Sequence, residues 1–530
     1  MGLIKIKEKK WVIGFILLFI LYFFANSYVL YKDNFSPLCD SANTILSAFR
    51  AASSVTSSHI VDLRSIAHDM SPLLSFLLML NILVFGGNID ILMHTNLLFL
   101  VILMYSLYNL GKRIGDKSLG FVAVVVCLSF PAVFGMSRIM WHEFPLMCIM
   151  TLSYYLLFKT DYFKNTKYSF LWALTISCGF LIKFTFPIYI FVPVLIYVIK
   201  SFLERDNRKQ LVSRLLSCFL IVLSITGWWY AKWLGQVINL RMTEVATGSS
   251  QLFCNASYLY NFLCNSSIYV PFFLLFIVSF PLLLRKPTFE KSIIMLGIFV
   301  PIAIFLIAPH ASGFDSSRYF IPILPLIALS IANLVFLFTS KFLRYFTLLV
   351  LIILCAMQFL FLNIGIVKPI MLPGDAPNDT VEAIIGQGKI RPYVSKVDPN
   401  EILDILNTRK IKKEISILFL GDFTYVDTGI QMQALKKGYQ LSLFTPVQHI
   451  KSGAQQLVFD NPKFLDNAEF IFVVENDKPS AKYLHDIHGE YCIPYIISSF
   501  NQKRDNYTKV ANFTGKAGAK IALFQKNPVD

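Results

Sequence analysis

Two carboxylates and two cations stand out where long apolar runs meet polar connectors. They are Asp40 in SPLCDSANTILSAFR, Glu143 in GMSRIMWHEFPL, Lys183 in CGFLIKFTFP and Arg318 in SRYFIPILP. A carboxylate at such a boundary can take the proton from an attacking hydroxyl. Cations beside it can hold a phosphate and stabilise the charge that group gains on leaving. The set therefore suits transfer from a phosphate borne on a membrane lipid, and the sequence carries no nucleotide-binding motif. Each residue also has a plainer reading: Asp40 as a helix N-cap, Glu143 as an acid at a helix N-terminus, and Lys183 and Arg318 as anchors whose heads reach the interface. Arg138, five residues before Glu143, is a further candidate cation or a simple partner of that acid.

Elements that would position these groups are legible in the composition. The 530 residues are 55% hydrophobic and 15% charged with mean hydropathy +0.60, against about 45–50% and 25% for soluble chains. This is an integral membrane protein. At about 20 apolar residues per crossing, eleven spans are expected: Trp11 to Tyr31, Leu92 to Leu110, Leu119 to Gly135, Phe144 to Phe158, Tyr168 to Ile182, Phe184 to Ile199, Leu211 to Trp233, Ile268 to Leu284, Ser292 to Ala308, Tyr319 to Phe338 and Tyr345 to Asn363. The first is too long for a signal peptide and is read as an anchor.

Pro72 to Phe85 is apolar over only 14 residues. If it does not cross, the connectors GKRIGDK, KTDYFKNTK, KSFLERDNRKQLVSR, RKPTFEK and SKFLR share a side with the N-terminal lysines. That side then carries 20 Lys and Arg against 6 acids, and the opposite connectors 8 against 8. The positive-inside rule favours this arrangement, with Pro72 to Phe85 an interfacial helix in a long first outer loop. Most of the net charge of +16 is then an orientation signal rather than a nucleic-acid surface. The N-terminus is expected in the cytoplasm and the tail outside, in a bacterial inner membrane.

Residues 1–363 form the expected transmembrane domain and 364–530 an outer α/β domain. Within the tail, ISILFLGD, TGIQMQALKKG and YQLSLFTP read as a βαβ unit, while AEFIFVVEN, YTKVANF and KIALFQK add strands. Nine Cys lie mostly in apolar runs and give no disulfide framework; Cys254 and Cys264 share one polar loop and either pair or stay as thiols. His485 and His488 are read as a solvated helix face rather than metal ligands. Six N-x-S/T sequons, at Asn34, Asn255, Asn265, Asn378, Asn506 and Asn512, fall on the expected outer side.

The order of elements resembles the GT-C glycosyltransferase superfamily, in the branch of protein O-mannosyltransferases, lipid A aminoarabinose transferases and related bacterial envelope glycosyltransferases. An acid follows the first span, here Asp40. An H-P-P-L-like segment is matched by His68, Asp69, Ser71, Pro72 and Leu73. A motif of the type S-R-x-x-x-x-D-x-P-L appears as Ser137, Arg138, Glu143, Pro145 and Leu146, with Glu in place of Asp. A G-x-x-x-x-T-K-like turn keeps Gly179 and Lys183 but has Ile182. R-Y-x-x-P-x-x-P is intact as Arg318, Tyr319, Pro322 and Pro325. The resemblance covers roughly residues 10 to 365.

It implies a polytopic helical GT-C-like fold and transfer of a sugar, with inversion, from a polyprenyl-phosphate donor to a glycan, lipid or protein acceptor. By the same resemblance Asp40 is the general base, Glu143 the second acid, and Lys183, Arg318 and Arg138 hold the donor phosphate. His68, Asp69, His142 and Tyr319 are expected to line the site. No cofactor is implied, the lipid-linked sugar being a substrate; a divalent metal stays open, and no metal site is read from the sequence. Two other classes compete. A flippase or transporter of lipid-linked glycans would keep polar groups at membrane depth, where this chain has almost none. A non-catalytic scaffold would leave the acids and cations scattered.

Overall fold

The computed structural model describes residues 2–32, 39–58, 72–204, 207–247, 259–260, 263, 267–285, 287–307, 316–363, 404–405, 414–420, 440–444, 469–474, 500–514 and 520–527. Contacts divide the chain into two compact units, one of Met1–Asp33 with Ala67–Lys389, the other of Asn34–Ile66 with Ile390–Asp530.

The first unit is helical. Its elements are α1 (Gly2–Lys32), then, numbering onward past the second unit's α2 (Cys39–Ser58), α3 (Pro72–Phe85), α4 (Ile89–Met93), α5 (Asn96–Ile114), α6 (Lys117–Ser129), α7 (Pro131–Met136), α8 (Glu143–Lys159), α9 (Thr166–Ile182) and α10 (Phe186–Leu203). There follow α11 (Arg208–Thr247), α12 (Tyr269–Leu282), α13 (Phe289–Ile307), a 3-10 stretch Ser316–Ile323, α14 (Leu324–Leu337) and α15 (Lys341–Met357). A helix occupies each of the eleven expected spans. Seven of the described helices are long and apolar enough to cross a membrane, the segments of α6, α9 and α12 being shorter.

Several sequence boundaries differ from expectation, among them two with a local reason or a large extent. The run from Leu119 to Gly135 is broken because Pro131 holds Phe130 extended at φ −67°, ψ 126°, as the residue before a proline prefers. The helix expected to end at Trp233 continues to Thr247. Pro72–Phe85 is a single helix of 14 residues, ended by Gly86 at φ 78°. It buries Leu74, Leu78 and Met79 and exposes Phe76, Leu80 and Val84.

Burial separates the helices into two kinds. α8 and α14 are enclosed along nearly their whole length, with Phe144, Leu146, Met147, Tyr154, Leu324, Leu326, Leu329 and Ala332 inaccessible. By contrast α1 and α15 turn Val12, Ile16, Leu17, Phe342, Phe346 and Leu349 outward. Side chains of that kind at the surface fit hydrocarbon, not water. α5 and α6 cross so closely at the basic turn that a Cβ on Gly111 would stand 2.5 Å from the Gly120 backbone. Asp116 caps α6, accepting from Leu119 N at 2.8 Å.

In the second unit, α2 buries Ile45, Leu46, Ala48, Phe49, Ala51 and Ala52, an i, i+3, i+4 face. The tail holds five described strands: β1 (Glu414–Leu420), β2 (Gln440–Phe444), β3 (Phe470–Val474), β4 (Tyr507–Thr514) and β5 (Lys520–Lys526). They form one sheet in the order β2-β1-β3-β5-β4. β1 pairs parallel with β2, Glu414 opposite Gln440, as a βαβ unit requires. β3 also lies parallel to β1, whereas β5 is antiparallel to both β3 and β4. Buried Phe470, Ile471, Ala522, Leu523 and Phe524 line its centre.

Candidate active site

Glu143, Lys183 and Arg318 meet in the first unit. Glu143 opens α8, which places its carboxylate at the positive end of the helix, and its side chain is 2% exposed. Lys183 Nζ donates to Glu143 Oε1 at 2.5 Å, and Arg318 Nε lies 3.4 Å from the same oxygen. The cation side chains are 12% and 14% exposed. One carboxylate thus faces two cations at the edge of the apolar core, where Coulomb forces are screened far less than in water.

Local sequence explains how each arrives. Between α7 and α8 the chain turns through Ser137 to His142, and this turn is held from other helices. The buried Asn96 at the start of α5 donates from Nδ2 to Ile139 O at 2.7 Å and to Met136 O at 3.3 Å, the latter also accepting from Ile139 N, and so ties the turn to α5. Ser137 Oγ donates to Asn26 Oδ1 at 3.1 Å, and Asn26 Nδ2 donates to Tyr22 O at 3.1 Å, both within or against α1.

Lys183 caps the C-terminus of α9 in extended conformation, its N–H donating to Gly179 O at 3.1 Å. The following turn folds back so tightly that Phe186 occupies the place of a side chain on Gly179. A Cβ there would stand 2.4 Å from the Phe186 ring, so the G-x-x-x-K spacing has a steric basis.

Arg318 and Tyr319 lie on the 3-10 stretch, which packs against α8. Aromatic rings hold both. The Arg318 guanidinium stands 5.2 Å from the centre of the Trp141 ring and 5.7 Å from that of Tyr319, and Lys183 Nζ is 4.7 Å over Tyr319. Phe305 stacks on Tyr319 with centroids 5.3 Å apart. Behind them runs a buried tyrosine chain: Tyr154 Oη donates to Tyr189 O at 2.8 Å, and Tyr189 Oη donates to Tyr319 O at 2.7 Å. Gly297 leaves room for it, since a Cβ would come 2.3 Å from Tyr154 Oη.

Of the other expected site residues, His142 is buried at the N-cap of α8, its carbonyl accepting from Leu146 N at 2.9 Å. Arg138 lies with its guanidinium 4.5 Å over Phe134. Asp40 stands in the first turn of α2, in the second unit. His68 and Asp69 fall outside the described residues, as do Cys254, Cys264, His485 and His488. Among the described residues no three His, Cys, Asp or Glu gather as metal ligands. Sequence reading missed Trp141, Asn96 and Tyr189. Trp141 had a local signal, lying between Arg138 and Glu143; the other two sit in apolar runs, where their partners are far along the chain.

The architecture defines a class, the polytopic helical membrane proteins. Residues 69–229, a little under a third of the chain, match the family described as dolichyl-phosphate-mannose-protein mannosyltransferase. The crystal structure of ArnT from Cupriavidus metallidurans in the apo state superposes with TM-score 0.62 at 10% identity, over 97% of this chain and 98% of that one. ArnT bound to undecaprenyl phosphate gives 0.59 at 12% identity over 96% and 98%. The apo Archaeoglobus fulgidus oligosaccharyltransferase gives 0.51 at 11% identity over 97% and 75%. No curated protein matches by sequence. The chain shares the polytopic helical fold of these solved structures, as the motif resemblance implies, and its residues 69–229 match the mannosyltransferase family.

Proposed function

We propose that the protein transfers one sugar from a polyprenyl-phosphate carrier to an envelope acceptor (lipopolysaccharide, another surface glycan or lipid, or protein) at the outer face of the inner membrane. The observation that carries this reading is the convergence of Glu143, Lys183 and Arg318 on one buried cluster. A scaffold has no need of two cations facing one carboxylate at a cost in desolvation. The matched mannosyltransferase family and the undecaprenyl phosphate bound by ArnT support a lipid-phosphate donor.

The chemistry is a single displacement. An acceptor hydroxyl oxygen bonds to the anomeric carbon as the bond from that carbon to the phosphate oxygen breaks, which inverts the centre. Asp40, by its place after the first span, takes the hydroxyl proton. The bond electrons leave with the lipid phosphate, whose charge Lys183 and Arg318 neutralise. Glu143, the resting partner of both cations, yields them to the phosphate and is then available to orient the acceptor.

Mass spectrometry of lipid carriers and envelope glycans tests this in cells carrying wild type, no gene, or Asp40→Asn. The expected result is a glycan shortened by one sugar, with the sugar-charged carrier accumulating, in both deficient strains. Full glycan in cells producing the folded Asp40→Asn protein overturns the role of Asp40. Unchanged glycans and carriers without the gene overturn the activity itself.

A further inference from the structure

We infer that Trp141 is a third ligand of the donor phosphate, its indole N–H donating to the phosphoryl group that Lys183 and Arg318 hold. This rests on the lipid-phosphate reading of the site. Trp141 is 5% exposed, and its Nε1–H is buried without a hydrogen-bond partner among the described residues. A buried donor left unmatched is costly, and proteins keep few of them.

This donor belongs to the cluster. The ring lies beneath the Arg318 guanidinium at 5.2 Å, and Arg318 reaches the carboxylate oxygen that Lys183 also holds. Two constraints fix the indole there. Its face is engaged by the cation, and its backbone belongs to the turn clamped by Asn96 through Ile139 O and Met136 O.

An indole can only donate, so its missing partner is an acceptor. Beside two cations the favoured acceptor is an anionic oxygen, which a phosphoryl group supplies. The bond is charge-assisted, the stronger kind, and the donor is neutral. Trp141 therefore adds affinity without adding a third positive charge to a pocket that must later release the lipid phosphate.

The test measures equilibrium binding of undecaprenyl phosphate and of undecaprenol to the full-length protein in detergent. Wild type, Trp141→Phe, and a form in which benzothienylalanine replaces Trp141 are compared. The last keeps the ring shape and loses only the N–H, so poor folding of Trp141→Phe does not decide the matter. Loss of one charge-assisted bond predicts roughly tenfold weaker binding of undecaprenyl phosphate, with undecaprenol binding unchanged. Equal loss for both lipids marks a packing role and overturns the inference. So does a substituted protein that keeps the wild-type preference for the phosphate. If wild type itself fails to prefer the phosphate over the alcohol, the lipid-phosphate reading falls and this inference falls with it.

Discussion

Replacing Glu143 by Gln separates the stability of the ligand-free protein from its hold on phosphate. Lys183 Nζ and Arg318 Nε lie 2.5 and 3.4 Å from one Glu143 oxygen, so they are no more than about 6 Å apart. At an effective dielectric of about 20 their repulsion is about 3 kcal/mol, and Glu143 masks it. The amide is neutral and offers a single acceptor. The ligand-free variant should lose about 3–5 kcal/mol, the usual cost of removing one partner from a buried ionic group. An incoming phosphate restores an anion between the cations and no longer competes with a carboxylate. Thermal unfolding in detergent, followed with and without undecaprenyl phosphate, is the assay. The variant should melt well below wild type alone and gain more than wild type from the phosphate lipid, with no such gain from undecaprenol. Transfer activity should nonetheless fall. If the variant melts with wild type and gains no more from the phosphate lipid, the two cations are not held by this carboxylate.

Other expectations follow from single contacts. Gly179→Ala drives a Cβ to 2.4 Å from the Phe186 ring and should cost about 1–3 kcal/mol of stability; shortening Phe186 to Leu in the same chain should recover part of the melting temperature. Asn96→Asp puts acceptors against Ile139 O and Met136 O in place of a donor, which frees the turn that carries Trp141 and Glu143, and both kcat per folded molecule and the binding of undecaprenyl phosphate should fall. Gly297→Ala pushes Tyr154 from its bond to Tyr189 O and should weaken donor binding, read as a rise in KM. Alkaline phosphatase fused after Asp530 should be active and one inserted at Lys112 inactive; the reverse pattern would invert the proposed orientation.

What could be read from the sequence was local. Gly179 with Lys183, and Arg318 with Tyr319 and two prolines, are turn signals whose geometry is set within a few residues, so their spacing was readable before the cations were seen to meet Glu143. The alternation in ISILFLGD and KIALFQK gave the tail strands for the same reason, although the antiparallel placement of β5 beside β3 depends on pairing that no single strand encodes. Span ends were less legible. Apolar side chains continue past Phe130, and only the restriction imposed by Pro131 shows that the helix stops. Asn96 and Tyr189 were invisible because an isolated polar group in an apolar run has no partner within reach of the eye; theirs lie 43 and 130 residues away. Asp40 was visible as a motif residue, but α2 begins at Cys39 and so places it inside the first turn rather than at the N-cap that its plainer reading expected.

The ion cluster has a consequence for biosynthesis. Its members emerge from the ribosome in sequence, Lys183 arriving 40 residues after Glu143 and Arg318 much later still. At about 5–20 residues per second, the carboxylate waits roughly 2–8 s for its first cation, and several times longer for the second. Through that interval the nascent chain carries an acid that α8 is to enclose. The N-terminal helices, already joined to the 137–142 turn through Asn26 and Asn96, can keep that turn at the membrane surface, so the acid stays hydrated until the later helices deliver its counter-charges. Truncated chains ending before residue 183 should therefore be recognised by quality-control proteases more readily than chains ending after it, and Glu143→Gln should narrow that difference.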